Sequence, residues 1–155
     1  MGNGENKSLN GLGCIMKYKK IFIVEDQSSV ASMFKLMLEA KGYFVTGIVS
    51  KGENVISLLE TTNPDLVIMD IWLKGSMDGI EAAMKIRNLS SIPIVFVTAD
   101  YSIETRKRAD LVDYQAYLKK PIRYEHLAHI INSIFDGSVD CIEEENATKP
   151  TLCKV

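Results

Sequence analysis

Residues 21–27 read IFIVEDQ, four apolar residues that stop at two carboxylates. Successive side chains of a strand point to opposite faces of a sheet, so an apolar run without alternation marks a strand buried on both sides. Directly downstream, in 28–40, Val30, Met33, Phe34, Met37 and Leu38 recur at helical spacing, and Gly42 closes the pattern. The stretch predicts a buried strand, an acidic strand end and a helix.

The same unit recurs outward along the chain. Strands are predicted over 44–49, 66–69, 92–97 and 116–118, and helices over 53–61, 78–89, 102–111 and 124–135. The second helix stops before Asn63-Pro64, and Asp78-Gly79 opens the third. Five βα units with apolar strands predict an α/β fold, a doubly wound parallel sheet with helices on both faces. The domain is expected over 18–136, between a flexible extension over 1–17, rich in Gly and Asn, and a flexible acidic tail over 137–155.

Composition narrows the class. With 155 residues, 46% apolar and 25% charged, the chain suits one soluble globular domain. Eighteen basic and twenty acidic residues leave a net charge of −2, which excludes a polycationic nucleic-acid binder. No apolar run approaches the ~18 residues of a membrane span. The N-terminus lacks the charged and apolar regions of a signal peptide, and Asn6 stands where a myristoylation site needs Ser or Thr. Cys14, Cys141 and Cys153 have no metal-ligand spacing and an odd count, as expected of a reduced, cytoplasmic protein.

In parallel sheets the chemistry sits at the carboxyl ends of the strands. Here those ends carry Glu25-Asp26, Asp70, Thr98 and Lys119-Lys120-Pro121. Two carboxylates ~5 Å apart repel by about 3 kcal/mol at an effective dielectric of ~20, so three in one crevice call for a cation. An all-oxygen cluster open to water suits Mg²⁺. With a metal, the Thr98 hydroxyl and the Lys120 ammonium to neutralise phosphoryl oxygens, Asp70 becomes an attacking carboxylate in phosphoryl transfer.

These pieces give the chain a resemblance to the receiver domain of two-component response regulators. The matching stretches are IFIVEDQ at 21–27, DLVIMD at 65–70, MDGIEAA at 77–83, IPIVFVTA at 92–99 and AYLKKPI at 116–122. The resemblance implies a flavodoxin-like (βα)5 sheet of order 2-1-3-4-5. It makes Asp70 the phosphoacceptor, with Mg²⁺ held by Glu25, Asp26, Asp70 and the backbone carbonyl of Trp72. It implies phosphoryl contacts from Thr98 and Lys120, a switch formed by Thr98 and Tyr117, and a cis peptide bond before Pro121. A histidine kinase or histidine phosphotransfer protein would supply the phosphoryl group. A protein target would read the face of the fourth and fifth helices and fifth strand, with a homodimer on phosphorylation as an open alternative. No direct nucleic-acid or membrane binding is expected, and the chain would be a self-phosphorylating switch, not a turnover enzyme.

The sequence departs from the family pattern after Asp70, where the loop to Asp78-Gly79 lacks a common proline and is one residue longer. No output domain follows the last helix, so a stand-alone receiver is expected. A hydrolase of haloacid-dehalogenase type also uses an aspartate nucleophile, but needs a second Asp where this chain has Trp72. A nucleotide or flavin binder needs a Gly-rich or Ser/Thr-rich loop where this chain has Glu25-Asp26-Gln27. Trp72 reads as a lid or partner contact, and Asp100 as a group able to orient attacking water. Arg106, Lys107 and Arg108 read as a solvated face, His126 and His129 as ordinary surface histidines, and Met33, Met37, Met69 and Met84 as core filler.

Overall fold

The computed structural model describes residues 7–10 and 14–138. One compact unit runs to Pro121 and a second begins at Ile122. The first unit holds β1 (Lys7–Asn10), β2 (Cys14–Lys17), β3 (Lys20–Val24), α1 (Ser28–Ala40), β4 (Phe44–Val49), a 3-10 turn (Gly52–Asn54) and α2 (Val55–Thr62). It continues through β5 (Leu66–Met69), α3 (Gly79–Leu89), β6 (Ile94–Thr98), α4 (Ile103–Ala109) and β7 (Ala116–Lys119). The second unit holds α5 (Tyr124–Asp136), which buries Leu127, Ala128, Ile130 and Ile131 and ends at Gly137 with φ +70°.

Five strands form a parallel sheet of order β4-β3-β5-β6-β7. Counted among themselves these strands run 2-1-3-4-5, as expected. Every residue of β5 and β6 is buried, so both pleat faces are covered. On one face Phe22, Val24, Val67, Met69 and Phe96 join Ile80, Ala83 and Ile86 of α3 in a single cluster. The chain leaves β3 for β4 on one side and returns to β5 on the other, and the crevice such a reversal opens lies at the carboxyl ends of β3 and β5.

Several expectations shift. The fourth core strand begins at Ile94, not Ile92, because Pro93 has no N–H for the ladder, although its carbonyl accepts Val67 N–H at 2.9 Å. Its last residue is Thr98, so the hydroxyl belongs to the strand itself. Within 1–17, where the sequence pattern predicts no regular element, β1 and β2 pair antiparallel. Backbone pairing needs no side-chain periodicity, which is why the pattern is silent there. The tail expected over 137–155 lies outside the described residues from 139 onward. Of the methionines read as core, Met69 is buried, but Met33 and Met84 are 47% and 38% exposed. In α1 the inward positions are taken by Ala31, Phe34 and Leu38.

Candidate functional site

The parallel ladder sets the strand ends level. Asp70 N–H donates to the Val24 carbonyl at 2.8 Å, Glu25 N–H to Val49 at 2.9 Å, and Lys120 N–H to Thr98 at 2.9 Å. Glu25, Asp70 and Thr98 are thereby buried at the sheet's edge, while Asp26 is half-buried. Carboxylate oxygens of Glu25, Asp26 and Asp70 lie within 4.8 Å of one another. The Lys120 ammonium donates to Glu25 Oε2 at 2.5 Å and to Asp70 Oδ2 at 2.6 Å. The remaining oxygens are aimed by backbone: Gln27 N–H reaches Glu25 Oε1 at 3.1 Å, and Ile71 N–H reaches Asp70 Oδ1 at 2.6 Å.

Burial is the largest single influence on both Glu25 and Lys120, but only Glu25 follows it. It pushes the Glu25 carboxyl up despite the opposing hydrogen bond from Lys120. For Lys120, burial pulls the ammonium down, but the hydrogen bonds and charges of Asp70 and Glu25 together outweigh it and raise the group. One ammonium faces three carboxylates, which leaves an excess of two negative charges when all are ionised. The donor set is oxygen only and each oxygen has a second lone pair, so a hard divalent cation fits both its charge and its chemistry.

Asp78-Gly79 has two separate duties. Asp78 caps α3: its Oδ1 accepts Glu81 N–H at 2.9 Å, and Glu81 Oε2 accepts Asp78 N–H at 2.9 Å. Gly79 presses on the Asp70 backbone, where a Cβ would stand 1.9 Å from the carbonyl oxygen. The longer loop between them is gripped from outside by Glu53, whose Oε1 accepts Ser76 N–H at 2.5 Å and Ser76 Oγ–H at 2.7 Å.

Around the floor lies a rim of aromatic donors. Trp72 Nε1–H donates to Asp100 Oδ2 at 2.8 Å, the Tyr117 hydroxyl donates to the Asp100 carbonyl at 3.0 Å, and the Tyr101 hydroxyl to the Lys120 carbonyl. The Lys120–Pro121 peptide is cis. Asp100 Oδ1 also accepts Ser102 N–H and Oδ2 the Thr105 hydroxyl. Those bonds, the one from Ser102 first, hold its carboxyl down at about 2. Its oxygens thus accept three protein donors, contacts the sequence did not predict. The Arg106–Arg108 run is not a plain solvated face either. Arg108 Nη2 pairs with Asp78 Oδ2 at 2.6 Å, and Arg106 pairs with Asp110 at 3.3 Å while covering the Tyr117 ring at 4.5 Å.

A sequence profile described as "Response regulator receiver domain" matches residues 21–132. The chain belongs to the response regulator receiver family. Transcriptional regulatory protein PdtaR of Mycobacterium tuberculosis is 34% identical over 109 residues, 70% of this chain and 53% of that protein. Transcriptional regulatory protein YvrH of Bacillus subtilis is 32% identical, over 73% of this chain and 47% of its own length. The chain thus spans about half the length of these curated relatives. Among solved structures, the signal receiver domain of a modulated diguanylate cyclase from Desulfovibrio desulfuricans G20 superposes with a TM-score of 0.73. It is 32% identical, over 77% of this chain and 95% of that one. A CheY-like receiver protein from Methanospirillum hungatei JF-1 gives 0.71 at 26% identity, over 77% and 95%.

As a receiver, the chain places Glu25, Asp26, Asp70 and Lys120 in one cluster, with Thr98 buried at the end of the neighbouring strand. Sequence reasoning missed Glu53 and the true partners of Asp100. Ser102, standing just before a helical run, was a visible cap signal, and its Oγ does accept Thr105 N–H at 3.2 Å. Glu53 gave no signal, since its partner lies 23 residues away.

Proposed function

We propose that this receiver is a Mg²⁺-dependent phosphoacceptor in a phosphorelay, taking a phosphoryl group onto Asp70. The observation that carries the reading is the Lys120 ammonium shared between Glu25 and Asp70 inside a three-carboxylate cluster. Glu25, Asp26, Asp70 and the Trp72 carbonyl would hold the metal. Bound there, Mg²⁺ would neutralise phosphoryl oxygens and so favour attack by a carboxylate.

The chain's own groups supply the rest. An Asp70 oxygen attacks phosphorus as the P–N bond of a donor phosphohistidine breaks, and the imidazole leaves with a proton from solvent. Lys120 then exchanges a carboxylate oxygen for a phosphoryl oxygen, and Thr98 donates its hydroxyl to another. Withdrawal of Thr98 toward the phosphoryl group gives Tyr117 room to leave the Asp100 carbonyl, which alters the surface that α4 and β7 offer a protein target. The chain is the substrate of this transfer, and attack by water on the acyl phosphate releases inorganic phosphate and restores the Asp70 carboxylate. The donor is a histidine kinase or histidine phosphotransfer protein. No helix among the described residues is long and apolar enough to cross a membrane, and we place the protein in the cytoplasm.

The test is intact mass after incubation with Mg²⁺ and acetyl phosphate. The expected result is one hydroxylamine-labile phosphoryl adduct that chelator prevents and Asp70→Asn abolishes. An adduct that survives Asp70→Asn or resists hydroxylamine refutes the assignment.

A further inference from the structure

Trp72 is 57% exposed, yet its ring is fixed by the Nε1–H bond to Asp100 Oδ2 at 2.8 Å. That bond joins the loop after β5 to the loop after β6. The acceptor is anchored from its far side: Asp100 Oδ1 takes Ser102 N–H at 2.8 Å, and Oδ2 takes the Thr105 hydroxyl at 2.7 Å. Ser102 is the N-cap of α4, and its Oγ–H also donates to Thr105 Oγ1 at 2.9 Å. A continuous chain of hydrogen bonds therefore runs from the indole through one carboxylate into the first turn of α4. With seven residues, α4 is too short for its own ladder to hold it, so its first turn depends on such outside bonds.

We propose that Trp72 is a positioning residue that transmits displacement of the phosphoacceptor loop to α4 through the Asp100 side chain, whereas Thr98 and Tyr117 meet Asp100 at its backbone, Thr98 Oγ1 accepting its N–H at 3.2 Å and the Tyr117 hydroxyl donating to its carbonyl. The clasp stands on geometry alone; the displacement it carries rests on the phosphoacceptor reading of Asp70. That displacement has a physical source. Ile71 N–H is bound to Asp70 Oδ1 at 2.6 Å, and a phosphorylated carboxyl, having lost its charge on that group, is a weaker acceptor for it. The backbone at 71 is released one residue from the indole's own. Tyr117 meets the loop after β6 at the Asp100 carbonyl, whereas Trp72 meets it at the Asp100 side chain, which accepts the N–H of the N-cap residue Ser102.

Amide hydrogen exchange on the full chain tests this, with and without Mg²⁺ plus beryllofluoride as the phosphoryl stand-in. Without ligand, Trp72→Phe keeps the ring but removes the donor. It is expected to speed exchange at Ser102 and Thr105 on the order of five-fold while Ile68 and Val95 in the sheet stay unchanged. In an Asp100→Ala background the same substitution is expected to add nothing, because the acceptor is already gone. With Mg²⁺ and beryllofluoride, the response of the α4 amides is expected to be clearly smaller in Trp72→Phe than in wild type. Unchanged α4 amides in ligand-free Trp72→Phe, or additive effects of the two substitutions, overturn the clasp. A ligand response at 70–72 that reaches α4 equally in Trp72→Phe overturns transmission alone. A wild-type chain whose amides at 70–72 ignore the ligand overturns transmission and the phosphoacceptor reading together, leaving the ligand-free result to decide the clasp.

Discussion

The floor of the site and its rim are held by opposite means. Glu25, Asp70 and Thr98 are buried at strand ends fixed by the sheet ladder, and the half-buried Lys120 ties Glu25 to Asp70 with one ammonium. Trp72, Asp100 and Tyr101 stand on loops and are joined by single hydrogen bonds from aromatic donors. The floor therefore concentrates energy in few groups whose charges must balance, and the rim spreads small terms over groups able to let go. A site that must be rigid at the reacting atoms and movable above them is served by this division.

Breaking the floor has the largest expected effect. Lys120→Met leaves Glu25 and Asp70 facing each other without the ammonium, and uncompensated buried charge costs about 4 kcal/mol. Urea unfolding is expected to show this loss at pH 8 and a smaller one at pH 5. Burial already holds the Glu25 carboxyl above its ordinary range, and without the lysine it takes up a proton more readily. Added Mg²⁺ is expected to restore stability by binding only the folded chain, at least as tightly as in wild type. Loss of that rescue contradicts the competition between ammonium and cation for Asp70.

Gly79→Ala comes next. Its Cβ meets the Asp70 carbonyl oxygen at 1.9 Å, so backbone has to move, at a cost of about 3 kcal/mol. The same substitution at Gly137, where φ is +70° but nothing stands within 4 Å, is expected to cost about 1 kcal/mol. Equal losses in denaturant titrations would mean that the close approach to Asp70 has no energetic weight.

The two regions also part in their response to pH. Lys120 is raised in the folded chain, so its contribution is complete below the unfolded lysine range and is lost as pH climbs through its folded value. Glu25, also raised, gives stability at low pH that is lost as pH rises through its folded value. Asp100 and Glu53 are held down at about 2, by the Ser102 N–H first for Asp100 and by local backbone and Ser76 for Glu53. Their contribution is present above the unfolded carboxylate range and disappears as pH falls toward 2. Melting temperatures are expected to fall less steeply between pH 4 and pH 2 in Asp100→Asn than in wild type. An identical slope would show that the rim carboxylate is not linked to folding.

The same contrast separates the residues that the sequence announces from those it does not. Asp70, Glu25 and Thr98 were legible because a strand end is where an apolar run stops, and Lys120 because it precedes proline at such an end. The five βα units were legible for the same reason, through period alone. The rim was not. Asp100 is committed to Trp72, 28 residues back, and Arg108 to Asp78, 30 residues back, and no local spacing encodes a meeting of two loops. Arg108 read as part of a block of charge because Asp78 lies 30 residues back, and Arg106 because its second contact is an aromatic face, although its pairing with Asp110 is an ordinary i,i+4 spacing.

The smallest effects test whether the rim is a sum of independent bonds. Tyr117 is held twice, at its hydroxyl by the Asp100 carbonyl at 3.0 Å and at its ring by Arg106 at 4.5 Å. Burial first, and then the charge of Asp100, raise its phenol to about 12, so it remains a donor throughout the physiological range. Tyr117→Phe removes only the hydroxyl and is expected to cost about 1 kcal/mol. Arg106→Gln removes only the cation and is expected to cost about 0.5 kcal/mol. Because the two contacts use different ends of one side chain, the double substitution is expected to equal the sum within about 0.3 kcal/mol. Tyr117→Ala, which removes the ring as well, is expected to couple with Arg106→Gln by more than that. If Tyr117→Phe instead couples as strongly as Tyr117→Ala, the guanidinium acts on the hydroxyl's hold and not on the ring. Arg106 would then belong to the same hydrogen-bonded chain as Asp100, and the rim would open as one cooperative piece.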